Sequence, residues 1–162
     1  MTFDRIDLGI LDILQRDATV PVARIADRVG LSQTPCWKRI QKHEEAGVIR
    51  ARVALLDADA LGLSLTAFVT VEAPEHTAEW RAGFLAAIDA LPPVRDVYRV
   101  AGDHDFLLRV VVPDLAAYDR FHAALTGAVR LRSVKATFAL ERVRASTALP
   151  LSVVNPAPGP TA

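Results

Sequence analysis

The chain holds a single cysteine, Cys36, among its 162 residues. That excludes an intrachain disulfide, and it excludes a pair of thiols at CxxC spacing that would hold zinc or run redox chemistry. Net charge is missing too: 19 basic residues balance 19 acidic ones. A whole-chain basic excess is the broad footprint of a nucleic-acid binder, so any contact with DNA has to come from local arrangement. No window approaches the ~18 uncharged apolar residues of a membrane span. The opening run MTFDRIDLGILDILQRD mixes acids among its apolar residues and lacks the basic start and unbroken apolar core of a signal peptide. Together these absences lead to the expectation of a cytoplasmic protein with no membrane partner.

Catalytic signatures are also lacking. There is no nucleophile elbow, phosphate loop or glycine fingerprint. The side chains available to an enzyme are His104, His122, Asp103, Asp105 and Cys36. His104 and Asp105 are neighbours in sequence, so on a strand they point to opposite faces. Cys36 falls on an inner helical face and reads as a small core residue. The four histidines, at 43, 76, 104 and 122, form no HxxxH pair, and His104 with Asp103 and Asp105 is the one dense group a metal would find. The sequence therefore predicts no enzyme, no cofactor and no metal.

What is present is apolar material in quantity: 51% hydrophobic and 23% charged residues, a globular composition sufficient for one large domain or two small ones. Ile6, Ile10, Leu11, Ile13 and Leu14 recur at helical spacing over 4–16. Gly9 interrupts that helix at a cost of about 1 kcal/mol relative to Ala. Pro21 suits the first turn of a second helix through Ile25, Ala26 and Val29. Gly30-Leu31-Ser32 stops it, and Ser32 is placed to cap a third helix from Gln33 to about Ala46, ended by Gly47. The partly alternating run Ile49–Leu56 predicts a strand, and residues 57–64 a linker.

From Leu65 the rhythm changes. Strands are predicted over Leu65–Val71, Val94–Val100, Phe106–Val112 and Val129–Val143, with helices over Thr77–Leu91 and Asp114–Leu125. The order βαββαβ is the split, ferredoxin-like arrangement. The fold expected is thus α+β: a three-helix, winged-helix-like helix-turn-helix domain over 1–56, the linker 57–64, a ferredoxin-like domain over 65–151, and a disordered Pro-rich tail over 152–162.

Two helices crossing at a tight turn need a small residue at the contact, a glycine at the turn and an apolar face beneath. Ala26, Gly30 and the Cys36/Ile40 face meet that need at helix-turn-helix spacing, though a plain helical hairpin uses the same parts. The third helix adds Ser32, Gln33, Thr34, Trp37, Lys38, Arg39 and Lys42. Hydroxyls and an amide hydrogen-bond base edges or phosphates, and the cations neutralise phosphates. Arg50 and Arg52 offer further backbone contacts. These residues define the expected interface with double-stranded DNA.

The runs FDRIDLGILDILQRD and IADRVGLSQTPCWKRIQKHEEAGVI resemble the N-terminal half of the Lrp/AsnC (leucine-responsive, feast/famine) transcription regulators. DADALGLSLTAFVTVE, VRDVYRVAGDHDFLLRVVVPDLAAYDRF and TFALERVRASTALPL resemble their effector-binding half. The resemblance covers about residues 3 to 151. It implies a helix-turn-helix over Val22 to Gln41, a dimer that assembles further, often to octamers, and a small effector, usually an amino acid, bound between subunits. The implied effector site is Gly102 and Asp105, with Val100, Ala101, Asp103 and His104 around them. Backbone N–H groups of a glycine-bearing turn suit a carboxylate, and an aspartate accepts from an ammonium; an ordinary hairpin would use the same Gly-Asp-His-Asp. Apolar walls beside the turn favour a branched-chain or aromatic amino acid. Three departures stand out. His43 replaces the family's usual leucine on the inner face, Ala101 stands where threonine is frequent, and Arg142 and Arg144 lie near a common lysine. The function implied is a sequence-specific transcriptional regulator whose assembly or DNA affinity responds to the effector. The alternative is an architectural DNA-wrapping protein using the same parts.

Overall fold

Asp4 opens the first helix, α1 (Arg5–Arg16), with a reciprocal cap: its side chain accepts from the Asp7 N–H at 2.7 Å, and its own N–H donates to the Asp7 carboxylate at 3.1 Å. The computed structural model describes residues 2–156. Two further helices follow, α2 (Val22–Val29) and α3 (Gln33–Glu45). Gly30 ends α2 at φ 71°, the left-handed conformation a helix-terminating glycine supplies. Ile10, Leu14, Ile25, Ala26, Cys36 and Ile40 form the buried centre of this three-helix unit. The interruption at Gly9 now has a reason. A Cβ there would sit 3.3 Å from Val29 Cγ1, so the glycine lets α1 and α2 approach.

The chain divides into two compact units. Among the described residues, one comprises those up to Leu55 together with those from Val143 onward, and the other is Leu56–Arg142. In the second unit β1 (Leu65–Glu72), α4 (Ala78–Asp89), β2 (Val94–Arg99), β3 (Phe106–Val112), α5 (Leu115–Ala128) and β4 (Ser133–Phe138) follow in that order. The sheet order is β2-β3-β1-β4, every neighbouring pair antiparallel. This is the predicted split βαβ arrangement. Strand β3 shows the alternation that produces it: Phe106, Leu108, Val110 and Val112 are buried, their intervening neighbours only partly so. Their buried face meets Ala67, Val69 and Val71 of β1, Trp80, Phe84 and Ile88 of α4, and Tyr118, Phe121 and Leu125 of α5.

Three expectations need correction. Ile49–Leu56 forms no strand and no wing: the segment is irregular, with Val53, Leu55 and Leu56 exposed and no strand paired to it among the described residues. Alternation produces a strand only where a neighbouring edge accepts its hydrogen bonds. The last strand is shorter than the predicted 129–143 and ends at Phe138, after which Leu140 and Val143 are exposed. Beyond it the chain rejoins the first unit. The Gln15 amide donates to the Leu149 carbonyl at 3.1 Å and accepts the Leu149 N–H at 2.8 Å. A short 3-10 helix, Leu151–Val153, runs from the last residue of the predicted ferredoxin-like domain into the start of the predicted tail. The remainder of that tail, 157–162, lies outside the described residues.

Candidate functional site

Helix α3 presents two unlike faces. Cys36, Ile40 and His43 are buried against the unit's core, while Ser32, Gln33, Thr34, Trp37, Lys38 and Lys42 are exposed. Trp37 keeps 49% of its surface open, unusual for a large aromatic with a core nearby. The turn before α3 is fixed by the Leu31 N–H donating to the Ala26 carbonyl at 3.0 Å. Ser32 occupies the N-cap position but makes no side-chain cap bond, so its hydroxyl is not spent on the helix. The exposed residues recur at 34, 37, 38 and 42, one stripe along the helix.

Arg39 does not belong to that stripe. Its Nη1 donates to Asp4 Oδ2 and to Asp7 Oδ1, each at 2.7 Å, across to the start of α1. Burial opposes its charge, but the two carboxylates outweigh burial and hold the guanidinium proton more tightly than usual. With its Nη1 on two carboxylates, Arg39 is a clamp between the start of α1 and α3. Arg52 is similarly engaged, with Glu44 at 2.7 Å. His43 joins the clamp from below. It is 1% exposed, its Nε2 lies 3.2 Å from Asp7 Oδ1, and its ring sits 5.8 Å from that of Phe3. Its Nδ1 has no hydrogen-bond partner among the described residues. The odd histidine is thus a buried member of a polar network whose bonds span 32 to 36 positions, so its partners were not readable from the sequence.

The loop between β2 and β3 carries the second group of predicted residues. Gly102 has φ 138°, a conformation only glycine adopts readily. The Val100 N–H donates to the Asp105 carbonyl at 2.9 Å, closing the loop. Asp105 works as a staple: its backbone N–H donates to the Val71 carbonyl at 3.0 Å, and its Oδ2 accepts from the Ala73 N–H at 2.7 Å. His76 Nδ1 stands 3.4 Å from Asp105 Oδ1, and His104 Nδ1 stands 3.5 Å from Glu72 Oε1. Ala101, Gly102 and Asp103 are exposed, and Val100 and His104 partly buried. Beside the staple opens a cleft of about 220 Å³ lined in part by Glu75, His76, Trp80, Arg81, Arg99 and Asp105. Of the six predicted residues only Asp105 lines it. Sequence reading missed the rest because Glu75, His76 and Arg81 come from the β1–α4 connection and the first turn of α4, which only the folded sheet brings beside the loop. Arg99 immediately precedes the predicted motif and was within reach.

Fold and sites together define a helix-turn-helix unit joined to a split βαβ unit with a small cleft at its β2–β3 loop. Residues 3–42 match the AsnC-type helix-turn-helix domain and residues 66–149 the Lrp/AsnC ligand binding domain. A glutamate uptake regulatory protein of Zymomonas mobilis is 43% identical over 91% of this chain and 90% of its own. An AsnC family transcriptional regulator of Agrobacterium tumefaciens superposes with a TM-score of 0.89 at 49% identity, covering 93% of this chain and 98% of that one. A transcriptional regulator of Neisseria meningitidis solved with L-methionine gives a TM-score of 0.88 at 30% identity, covering 93% and 97%. The chain belongs to the Lrp/AsnC family of transcriptional regulators, with a DNA-binding helix-turn-helix and an effector-binding domain. No helix among the described residues is long and apolar enough to cross a membrane.

Proposed function

We propose that the protein is a cytoplasmic, non-enzymatic regulator that reads duplex DNA through α3 and changes its DNA affinity or assembly when an amino acid binds the β2–β3 loop region. The observation that carries the reading is the two-faced α3: its inner side is fixed in the core while Ser32, Gln33, Thr34, Trp37, Lys38 and Lys42 stand free on the other. Hydroxyl, amide and ammonium groups in one stripe supply base-edge and phosphate contacts from the same helix. Arg39 is left out of this interface. Arg24 and Arg28, exposed on α2, are added to it as phosphate contacts.

Self-association is part of the proposal. The sheet face turned away from α4 and α5 carries Phe68, 41% exposed, and Tyr98, 56% exposed, with Leu107 and Val111 partly buried between them. The same face holds the Arg109–Asp96 ion pair, and its exposed aromatics are what a second copy would cover, giving a dimer and, through further contacts, an octamer. A dimer places two reading helices on one duplex, which is how helix-turn-helix proteins gain affinity for paired half-sites. The relative from Neisseria meningitidis, bound to L-methionine, supports an amino acid as effector. The effector acts only through its differential affinity for two states of the assembly.

The test is an electrophoretic shift of duplex from the protein's own promoter region, titrated with each amino acid. The expected result is a shift that weakens steeply as salt rises and whose midpoint or pattern moves with at least one amino acid. A shift indifferent to all twenty would remove the effector from the reading.

A further inference from the structure

The cleft beside Asp105 has a charge pattern that specifies its ligand further. Resting on the reading of this unit as an amino-acid effector domain, we propose that the cleft selects an acidic amino acid, a dicarboxylate carrying one ammonium.

Two guanidiniums, Arg81 on α4 and Arg99 at the end of β2, line the cleft, and neither is in an ion pair among the described residues. Arg109, by contrast, is spent on Asp96, as Arg39 is on Asp4 and Asp7. The two carboxylates of the cleft differ in the same way. Asp105 is occupied by the Ala73 N–H at 2.7 Å and by His76 at 3.4 Å. Glu75 has no such partner among the described residues. The unspent groups are therefore two cations and one anion. An acidic amino acid presents their complement: two carboxylates for Arg81 and Arg99, and one ammonium for Glu75. Arginine suits the role because its planar fork engages a carboxylate through paired N–H donors.

The cleft's other features fit the same ligand. At about 220 Å³ it has room for a single amino acid. Trp80 and Phe106, with ring centroids 6.1 Å apart, supply an apolar wall along which a short methylene chain lies. Trp80 is held there by its indole N–H, which donates to the Arg130 carbonyl at 2.7 Å. A branched-chain or aromatic ligand, the class the strand residues suggested, would use this wall but leave one guanidinium without a counter-charge.

Calorimetric titration of the full-length protein with L-glutamate, L-aspartate, L-glutamine, L-leucine and L-methionine tests the proposal. Glutamate or aspartate should bind about tenfold or more tightly than glutamine, which has glutamate's shape without its second charge. One of Arg81→Gln and Arg99→Gln, both at exposed positions, removes the partner of the side-chain carboxylate and should reduce that preference to about threefold or less; the other removes the partner of the α-carboxylate and should weaken glutamate and glutamine alike, with the circular dichroism spectrum of both variants unchanged. If leucine or methionine binds as tightly as the acidic pair, or if both arginine variants keep the preference, the proposal is wrong and the amino-acid reading survives it. If none of the five binds, the proposal is wrong, and the amino-acid reading falls with it only if the DNA shift is also indifferent to all twenty.

Discussion

The least expected residues are those at the junction of α1 and α3. Asp4 caps one helix and clamps Arg39 of another. Burial raises its carboxyl, but the Asp7 N–H and the Arg39 guanidinium outweigh burial and leave it below its ordinary value of 3.8. A carboxyl depressed in the folded state contributes stability above its unfolded value and loses it as pH falls through the folded one. Thermal melting from pH 7 down to pH 3 should therefore show a decline below about pH 4 that Asp4→Asn makes shallower. An identical pH profile for the variant would mean the clamp carries no proton linkage. His43 is a different case. Its Nδ1 has no partner among the described residues, and an unmet buried polar atom costs about 1–3 kcal/mol. His43→Leu keeps the volume and leaves Asp7 its bond to Arg39. Urea unfolding should place that variant within about 1 kcal/mol of the parent, or above it. A loss of several kcal/mol would show that the histidine's bond to Asp7 outweighs its orphaned nitrogen.

Among the elements, the turn between α2 and α3 sets the orientation of α3, the proposed DNA-reading helix. Gly30 at φ 71° meets no neighbour that would obstruct a Cβ, so conformation alone constrains it. Gly30→Ala should cost about 1–2 kcal/mol, the left-handed penalty for a residue with a side chain, read by thermal or urea melting of the full-length protein. A neutral result would mean the turn relaxes. Helices, turn and the core of β3 were legible in the sequence because each is written in a short stretch: Phe106 to Val112 is an apolar run broken only by Arg109, and Gly30 marks its stop directly. Ile49–Leu56 shows the limit of that signal. Its alternation predicted a strand, but strand formation depends on a partner edge, and a single segment's pattern does not say whether one is there. Arg39 shows a related limit. It looked like a phosphate contact because its own helix is basic, while its true partners lie on α1.

Across the whole molecule the same division holds. The two units and the family were readable, since composition, turn residues and motif runs are local. Of the cleft's lining only Asp105 was read from the sequence, since its other walls converge through the sheet order β2-β3-β1-β4. The return of the chain end to α1, through Gln15 and Leu149, was not readable, because a backbone-directed amide leaves no pattern at the position it grips. With zero net charge, the molecule binds DNA only if a small local stripe suffices, and that is the claim most exposed to test. Fluorescence anisotropy of a labelled promoter duplex should be measured against salt for the parent and for Lys38→Ala with Lys42→Ala. Removing two phosphate contacts should weaken binding by about tenfold or more and flatten the slope of log affinity against log salt by about 2. Unchanged affinity and slope in the double variant, with its fold intact by circular dichroism, would contradict the assignment of α3 as the DNA-reading helix.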